Sequence, residues 1–493
     1  MSLSIHIAVF ATRVRPCRVR LLALLMGAMA AIATARAQDT RDVKEPAIPA
    51  ACVKLDAQIA AAGETLKDAD ERRPDTARIQ SAIDAFAAKC KPGTAVELAI
   101  GAPSDGSAGS SNAFLSGPLE LREGVTLLID KGVTLFASRR AADYDVSGAG
   151  TCGTMPAQGR CKAFLTIRAK DTAIMGDGTI DGRGGAKLLD KDTSWWALAV
   201  AAEPKNTPYS DPRLIDAADA DGFTMYRITL HNSPNFHVGV SRTNGFTAWG
   251  VHLKTPTVER GPNDPRPRNT DGIDPGSSSN ITIAHSWIDN GDDNVAIKTG
   301  VTHMSVLDNH FYSGHGMSIG SETYSGDSFL LVDGLTEDHT TSGIRIKSNV
   351  TRGGLVHDMV YRNICMRDVE VPIAISPYYN NGSIDQFFDP GFKGDRIPDY
   401  KNIRIENVTD PTPGDVLLAG YDQAHRTQVE LRNVTIEGIK PALVHAKFLD
   451  VVNVGSNIPF AKLDGNAEVK AVWVDPPREM KAYACAGKFV PMR

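Results

Sequence analysis

The feature of the sequence that most restricts its fold is an internal repeat of 22 to 23 residues. Apolar triplets at 228–230 and 251–253 lie 23 positions apart, and those at 295–297 and 317–319 lie 22 positions apart. A period of about 20–50 residues is typical of solenoids, propellers and other repeat arrays. Each period contains several short runs rich in Val, Ile and Thr, but no helical stripe. The repeat therefore predicts an all-β chain, because alternating α/β folds need a helix between successive strands.

A parallel β-helix fits this period best. In this single-stranded solenoid, one chain stacks coil upon coil around a continuous core. A β-propeller is the alternative, but its blades are antiparallel and longer, about 40–50 residues. One amphipathic helix is predicted over 76–90, with apolar residues at Ile79, Ile83, Phe86 and Cys90. We expect this capping helix to close the N-terminal end of the solenoid and cover its open strand edges.

The start of the chain predicts export. Four arginines between 13 and 20 precede an apolar run at 21–35, and Ala-Arg-Ala follows at 35–37. This pattern is typical of a secretory signal peptide, here cleaved before Gln38, and predicts a secreted, extracellular protein. The predicted divisions of the chain are a signal peptide (1–37), a poorly ordered or capping N-terminal extension (38–75) and a parallel β-helix domain (76–493).

Loss of the signal peptide makes the protein more acidic. The segment holds five Arg and no Lys, Asp or Glu, so the formal net charge falls by five, from −5 to −10. An acidic chain without a basic stripe is a poor nucleic-acid binder. No later apolar run reaches the ~20 residues needed to span a bilayer. We therefore expect no nucleic acid and no membrane partner after cleavage, and a capped solenoid favours a monomer.

Six cysteines remain after cleavage, an even number that is typical of disulfides in an exported protein. Six allow fifteen pairings. Cys152 and Cys161 are close enough in sequence to close one loop. There is no Cys-x-x-Cys pair and no zinc-type Cys/His spacing, so we expect no metal and no cofactor. The six are Cys52, Cys90, Cys152, Cys161, Cys365 and Cys485.

Three polar residues share the period of the coils. Asp271, Asp293 and His315 are separated by 22 residues each, so we expect them on successive rungs, ~4.8 Å apart, with Asp292 beside them. Carboxylates this close cannot all ionise normally, so at least one should have a raised pKa and hold its proton near neutral pH. A protonated carboxyl as general acid and an ionised one as general base are the groups that hydrolyse a glycosidic bond.

Two cationic residues are predicted on the same side of the solenoid as these carboxylates. Arg345 and Lys347 alternate along one strand-like triplet, so both should point to one face. They suit a substrate carboxylate, Arg as a planar fork and Lys as a point charge. An acidic protein could thus bind an acidic polymer through a basic cleft. The Asp pair at 292–293 could instead form a calcium corner, and the Trp pair at 195–196 could be a sugar platform, an end cap or core.

Four short motifs, taken in order, resemble a known family. They are Asn-Thr-Asp-Gly at 269–272, Gly-Asp-Asp at 291–293, Gly-His-Gly at 314–316 and Arg-Ile-Lys at 345–347. Together they resemble the polygalacturonases of glycoside hydrolase family 28, particularly bacterial secreted endopolygalacturonases, most strongly over 223–379. The resemblance implies a right-handed parallel β-helix and hydrolysis, with inversion, of α-1,4-galacturonosidic linkages in polygalacturonate or pectin.

The resemblance also implies roles for individual residues. Asp292 matches the proton donor, Asp271 and Asp293 match the pair that activates water, and His315 matches the histidine that supports the donor. The implied substrate contacts are Asn269, Lys298, the carboxylate-binding pair Arg345 and Lys347, and Tyr379, with Tyr378 as its rival.

Two segments depart from the family pattern. A Pro- and Arg-rich insertion at 255–268 and a long loop at 376–400 could each rim the cleft. We expect endo action, but closure of one end of the cleft would favour exo action. The sequence also leaves open a rhamnogalacturonan hydrolase, a pectate lyase that needs calcium and a basic proton abstractor, and a non-enzymatic carbohydrate-binding β-helix.

Overall fold

A computed structural model of the protein describes residues 38–492, except 64, 103–109, 147, 149, 256–265, 381–387 and 461–467. The predicted signal peptide and most of the insertion before the first motif lie outside the described residues. Among the helices that are described, none combines the length and the apolar character needed to cross a membrane.

Strands, most of them short, are the main secondary structure of the described residues, as the runs of Val, Ile and Thr predict. The helices are α1 (Thr76–Asp84), α2 (Phe86–Lys89) and α3 (Trp195–Ala202), with 3-10 turns at Asp70–Arg72, Ala141–Tyr144, Glu203–Lys205 and Pro441–Leu443. The strands are β1 (Ala51–Asp56), β2 (Ala95–Ala99), β3 (Ala113–Ser116), β4 (Leu119–Leu121), β5 (Thr126–Ile129), β6 (Thr134–Ala137), β7 (Leu165–Ile167), β8 (Ala173–Met175), β9 (Thr179–Asp181), β10 (Ile215–Ala218), β11 (Thr224–Tyr226), β12 (Thr229–His231), β13 (Val238–Ser241), β14 (Thr247–Trp249), β15 (His252–Lys254), β16 (Ile273–Gly276), β17 (Ser279–Ala284), β18 (Trp287–Asn290), β19 (Val295–Ile297), β20 (Thr302–Leu307), β21 (His310–Ser313), β22 (Met317–Gly320), β23 (Asp327–Asp333), β24 (Thr336–Asp338), β25 (Ser342–Lys347), β26 (Leu355–Arg367), β27 (Val371–Ser376), β28 (Asp399–Asp410), β29 (Val416–Ala419), β30 (Thr427–Ile436), β31 (Val444–Lys447), β32 (Leu449–Val454) and β33 (Val469–Val474).

These strands form two parallel sheets around one core. The 11-stranded sheet contains β4, β7, β10, β13, β16, β19, β22, β25, β27, β29 and β31, and the other strands belong to a 22-stranded sheet. Ile281 of β17 pairs with Met304 of β20, and Val295 of β19 pairs with Met317 of β22. These are the 23- and 22-residue offsets of the sequence. The predicted parallel β-helix is confirmed.

The interior is filled by columns of apolar side chains. Leu230, Leu253, Ile288 and Phe311 occupy equivalent positions on four successive coils, and all four are 0% exposed. Burial of each such side chain stabilises the fold by roughly 1.5–3 kcal/mol. Because these columns hold the coils in register, residues in the turns between strands are placed at fixed heights along the solenoid.

The predicted helix over 76–90 is present as two short helices. α1 and α2 are separated at Ala85, and the buried side chains of Ile79 and Ile83 pack against the core. The prediction of one continuous helix is wrong. The helical segment ends because Cys90 has an extended backbone and forms a disulfide with Cys52 of β1.

The N-terminal extension at 38–75 contributes a strand to the solenoid. β1 pairs in parallel with β2, and Val53 lies opposite Val96. The predicted boundary after residue 75 is therefore too late, because the β-helix already begins at β1. The alternation of partly buried Val53 and Leu55 with exposed Lys54 is a strand pattern that the sequence analysis missed.

The six cysteines form three disulfides, which settles the pairing that the sequence left open. The loop closed by Cys152 and Cys161 agrees with their spacing. The remaining bonds tie the first strand to the end of α2 and the C-terminal segment to β26. The three pairs are Cys52–Cys90, Cys152–Cys161 and Cys365–Cys485.

The long connection between β9 and β10 contains a helix that the sequence analysis missed. α3 begins after Ser194, whose side chain accepts a hydrogen bond from the amide of Ala197 at 3.1 Å. Trp195 and Trp196 are each only 1% exposed, so they belong to the core and do not form a sugar platform. The helix escaped detection because its residues are apolar on all sides and show no amphipathic period.

Glu337 on β24 places a carboxyl inside the core and makes stability depend on pH. The residue is 0% exposed, and burial raises its pKa from 4.5 to about 8. Between these pH values the unfolded chain releases the proton while the folded protein keeps it, so the free energy of unfolding falls as pH rises. For Glu337→Gln we expect a higher melting temperature than wild type at pH 7, and a smaller gain near pH 4.5. Thermal unfolding at both pH values measures this, and an equal gain at both would contradict it.

Candidate active site

The candidate site lies where successive coils enter the 11-stranded sheet. Asp271 precedes β16, Asp293 precedes β19 and His315 precedes β22. The amide of Gly272 donates to the carbonyl oxygen of Asp293, and the amide of His315 donates to the carbonyl oxygen of Asp292, both at 2.9 Å. The structure therefore places these residues on successive rungs, as their spacing predicts.

Two buried asparagines hold the turn that carries the adjacent aspartates. Asn290 Nδ2 donates to the carbonyl oxygens of Thr270 and Asp293, both at 2.8 Å. Asn294 Nδ2 donates to Asn290 Oδ1 at 2.8 Å, and Asn294 Oδ1 accepts from the amide of Gly316 at 2.8 Å. Both asparagines are 0% exposed, so these bonds satisfy buried backbone groups and fix the turn. The sequence analysis identified neither residue.

Asp293 is the buried anion of the site. Its Oδ1 accepts from Arg345 Nη1 at 2.9 Å and its Oδ2 accepts from Lys347 Nζ at 2.7 Å. Burial acts to raise the pKa of Asp293, but Lys347 and Arg345 outweigh it and hold the pKa below its ordinary value. Asp293 is therefore ionised at neutral pH.

The two cations lie deeper than the sequence analysis expected. Arg345 and Lys347 are 4% and 8% exposed, and both already donate a hydrogen bond to the Asp293 carboxylate. Burial, reinforced by the adjacent Arg345, lowers the pKa of Lys347. Together the two cations offset the negative charge of Asp293, which makes this group of charges stable in the interior.

Asp292 is the more open of the two adjacent carboxyls. Its side chain is 21% exposed, against 1% for Asp293. Its Oδ1 accepts from the amide of Asp293 at 2.9 Å and lies 3.3 Å from His315 Nδ1, while its Oδ2 lies 3.5 Å from Asn269 Nδ2. Burial acts to raise the pKa of Asp292, but His315 and Lys347 lower it below its ordinary value.

A second pair of carboxyls shares one lysine. Lys298 Nζ lies 3.7 Å from Asp271 Oδ2 and 3.6 Å from Asp274 Oδ2. Burial and the neighbouring Asp274 raise the pKa of Asp271, and burial raises the pKa of Asp274 to about 7. The clustered carboxyls thus include groups with raised pKa values, as predicted, but Asp271 rather than Asp292 holds its proton more tightly. Asp274 was missed because it lies three residues beyond the 22-residue series.

Tyr209 reaches the site from the connection that contains α3. Its hydroxyl donates to Asn269 Oδ1 at 2.8 Å, and Asn269 in turn approaches Asp292. Burial and the carboxylates of Asp211 and Asp292 raise the pKa of Tyr209, so it remains a neutral donor. The sequence analysis missed Tyr209 because nothing in its local pattern indicates which coil the connection meets.

The structure separates the two tyrosines proposed for the cleft. The ring centroid of Tyr379 lies 5.2 Å from Lys347 Nζ and 5.8 Å from Arg345 Cζ, within reach of a cation–π interaction. Tyr378 is only 2% exposed, and its hydroxyl donates to the carbonyl oxygen of Tyr421 at 2.9 Å. Tyr379 therefore lies beside the candidate site, and Tyr378 lies in the core.

Asp292, Asp293 and His315 also place three potential metal ligands within 4.8 Å of one another. Both oxygens of Asp293, however, already accept hydrogen bonds from Arg345 and Lys347. These cations would compete with a metal ion for the carboxylate and repel it. The donor set therefore fits a bound metal, calcium included, poorly, and the expectation of a metal-free site stays a prediction.

A solenoid that carries an open carboxyl, a histidine and a second carboxylate held ionised by buried cations has the groups expected of a carbohydrate-cleaving β-helix. The family described as Glycosyl hydrolases family 28 matches residues 95–454. The chain belongs to this family, and the resemblance seen in its four motifs is confirmed.

Two bacterial relatives match along most of their length. The endo-polygalacturonase of Pectobacterium carotovorum subsp. carotovorum is 41% identical over 425 residues, 85% of this chain and 94% of that protein. The polygalacturonase of Ralstonia solanacearum is 39% identical over 478 residues, 86% of each. Among solved structures, the polygalacturonase from Erwinia carotovora ssp. carotovora has a TM-score of 0.68 at 40% identity, covering 83% of this chain and all of that one (100%). An exopolygalacturonase from Thermotoga maritima has a TM-score of 0.61 at 18% identity, covering 83% of this chain and 93% of that one, and shows the fold alone.

Proposed function

We propose that the protein is an endo-acting polygalacturonase, which hydrolyses α-1,4-galacturonosidic linkages in polygalacturonate and pectin. The observation that carries this proposal is the open carboxyl of Asp292 next to Asp293, whose charge is offset by Arg345 and Lys347. Relatives named endo-polygalacturonase, at 41% identity over 85% of the chain, support the same reaction and the same mode of attack.

Asp292 is the proton donor in this proposal. In the free protein, His315 and Lys347 outweigh burial and favour its ionised form. A substrate carboxylate that binds Lys347 would cancel part of this positive field and add a negative charge near Asp292. The pKa of Asp292 would then rise on binding, so that the carboxyl takes up a proton and passes it to the glycosidic oxygen.

Asp271 is the group that removes a proton from the attacking water. It acts in its ionised form, which Lys298 favours from 3.7 Å. Because burial and Asp274 raise its pKa, this ionised form binds a proton more strongly than Asp293, which two cations hold as an anion. As the water oxygen bonds to the anomeric carbon, its proton passes to Asp271 and the bond to the leaving oxygen breaks. Attack from the side opposite the leaving group gives inversion.

Arg345, Lys347 and Lys298 bind the galacturonate carboxylates. A guanidinium has five N–H donors and an ammonium three, so the single bonds that Arg345 and Lys347 donate to Asp293 leave donors for a substrate. Lys298 is mostly buried beside Asp271 and Asp274, which outweigh burial and raise its pKa, so it stays cationic. Asn269 and Tyr379 complete the contacts at the rim.

We also infer that the protein acts outside the cell as a monomer that begins at Gln38. The residue after that position is already anchored, because the Asp39 amide donates to Ser305 Oγ at 3.0 Å and Thr282 Oγ1 donates to Asp39 Oδ2 at 2.8 Å. Cleavage before Gln38 would thus leave an ordered N-terminus. Sequencing the N-terminus of the exported protein tests the cleavage site, and light scattering tests the oligomeric state.

Tyr209→Phe is expected to lower kcat on polygalacturonate about fivefold to tenfold with little change in KM. The variant removes the hydroxyl that holds Asn269 next to Asp292, and one lost hydrogen bond is worth ~1 kcal/mol. Tyr312→Phe is the matched control, because its hydroxyl donates to the carbonyl oxygen of Val490, outside the site. Equal kcat values for the two variants would contradict the positioning role of Tyr209.

Digestion of polygalacturonate in the presence of a chelator tests the proposed function. Reducing ends, viscosity and the ultraviolet absorbance of unsaturated products are followed together. We expect reducing ends without unsaturated product, and an early fall in viscosity from cleavage inside the chain. A slow fall in viscosity would indicate exo action. Unsaturated product would indicate a lyase, and absence of cleavage would favour a rhamnogalacturonan substrate or a binding protein.

A further inference from the structure

A second cleft, of about 400 Å³, lies away from the carboxylates. Its lining residues come from β11, β14, β15 and β18 of the 22-stranded sheet, from the turns next to these strands, and from Glu45 in the segment before β1. None belongs to the 11-stranded sheet, at whose entrance the candidate active site lies. The cleft is therefore a separate feature of the surface.

The cleft exists because a glycine interrupts a column of turn residues. Arg227, Gly250 and His285 follow one another on successive coils, since the Arg227 amide donates to the Trp249 carbonyl and the Gly250 amide to the Ala284 carbonyl. All three have positive φ, at 63°, 61° and 51°. The backbone therefore does not require glycine at this position, because residues with side chains adopt the same conformation on either side.

The missing side chain of Gly250 leaves a notch about one coil high, ~4.8 Å. A Cβ built at this position would meet nothing closer than Arg227 Cγ at 3.7 Å and the His285 carbonyl oxygen at 4.0 Å. A larger side chain would fill space that is now open between Arg227 and His285.

Flat rings form the walls beside this notch. The Trp249 and His285 ring centroids are 4.7 Å apart, and the His252 and Trp287 rings are stacked at 4.6 Å with 15° between their planes. Trp249, His252 and Trp287 are each partly exposed. Trp287 is also packed against His310 at 5.5 Å, so these rings offer the cleft exposed carbon surface together with polar N–H edges, which suits a sugar ring with C–H groups and hydroxyls.

Polar groups in the cleft suit hydroxyls better than a carboxylate. Glu45 accepts from the Tyr226 hydroxyl at 2.6 Å, and Arg227 donates two bonds to Asp177, at 2.7 and 2.6 Å. A carboxylate and a guanidinium each keep unused acceptors or donors after such contacts. Because Asp177 balances Arg227 and Glu45 adds a negative charge, no positive charge is left over to attract a polyanion when the histidines are neutral.

We propose that this cleft binds uncharged pyranose units of a polysaccharide. It would hold the protein on parts of the polymer that the candidate active site, with its three cations, is not suited to bind. The choice of polymer rests on the proposed function. Pectin offers two sources of such units, methyl-esterified galacturonate and neutral side chains such as galactan.

Affinity electrophoresis through native gels tests the proposal. Separate gels contain methyl-esterified galacturonan, galactan or polygalacturonate, and the proteins compared are wild type, Gly250→Asn and Gly124→Asn. Asparagine tolerates positive φ, so Gly250→Asn fills the notch and keeps the fold. Gly124 is the matched control, because its φ is 70° and nothing lies within 4 Å of a Cβ there.

We expect at least one uncharged polymer to retard the wild type and Gly124→Asn, with binding about fivefold or more weaker for Gly250→Asn. Retardation by only one of the two uncharged polymers identifies the source. The proposal is overturned if neither uncharged polymer retards the wild type, if Gly250→Asn binds as wild type does, or if the loss is confined to polygalacturonate. Hydrolysis of short unesterified oligomers should be equal in all three proteins. It is measured separately, so failure of the proposed catalytic function would be distinguished from failure of this site.

Discussion

Asp292→Asn is expected to lower kcat on polygalacturonate by about 10³-fold, because a positioned general acid contributes typically 10²–10⁴-fold. Asparagine keeps the shape of the side chain but has no acidic proton to give to the glycosidic oxygen. We expect only a modest loss of thermal stability, because His315 and Lys347 favour the ionised carboxylate in the folded protein. Initial rates of reducing-end release and thermal unfolding measure the two effects.

Residual activity above about a tenth of wild type would contradict the assignment of Asp292 as donor, because loss of a general acid costs far more. A large fall in melting temperature would also count against it, because the side chain would then have a structural role. The amide of Asp293 donates to Asp292 Oδ1, and an asparagine side-chain oxygen can accept the same bond.

Asp293→Asn is expected to damage both stability and activity. Arg345 and Lys347 each donate a short bond to this carboxylate and are buried. Removal of the anion leaves two buried cations without their partner, which costs about 3–5 kcal/mol. We expect a lower melting temperature than that of Asp292→Asn, together with a loss of kcat of similar size.

Asp292→Asn and Asp293→Asn serve as controls for each other. The chemical change is the same, but one carboxyl is 21% exposed and the other 1% exposed. A second substitution, Lys347→Met in the Asp293→Asn background, should restore part of the stability and none of the activity, because it removes an unpaired charge. Equal melting temperatures for Asp292→Asn and Asp293→Asn would contradict the role of Asp293 as the anion that neutralises the buried cations.

The stacking of the site could be predicted from the sequence because a parallel β-helix converts sequence distance into position. One coil takes 22 residues here, so the spacing of Asp271, Asp293 and His315 directly indicates successive rungs. The alternation of Arg345 and Lys347 also indicated a shared face. Counting residues does not reveal which group each cation contacts, because Asp293, the partner of both, lies 52 and 54 residues earlier in the chain.

Residues outside the repeat were harder to place. Tyr209 comes from a long connection between β9 and β10, where no period relates sequence to position. The order of the carboxyl pKa values could also not be predicted from the sequence, because it depends on which carboxyl is surrounded by cations and which by other carboxyls. The strand at 51–56 was missed because its pattern is short, and the helix α3 was missed because its residues are apolar on all sides.

The most direct test of the proposed mechanism is proton NMR of the hydrolysis of a short galacturonate oligomer, recorded from the first turnover. The linkage cleaved is α, so attack of water opposite the leaving oxygen must give the β-anomer first, with the α-anomer appearing later by mutarotation. We expect the β-anomer as the initial product and no unsaturated sugar. The α-anomer as the first product, or signals of an unsaturated ring, would contradict direct displacement by water at Asp292 and Asp271.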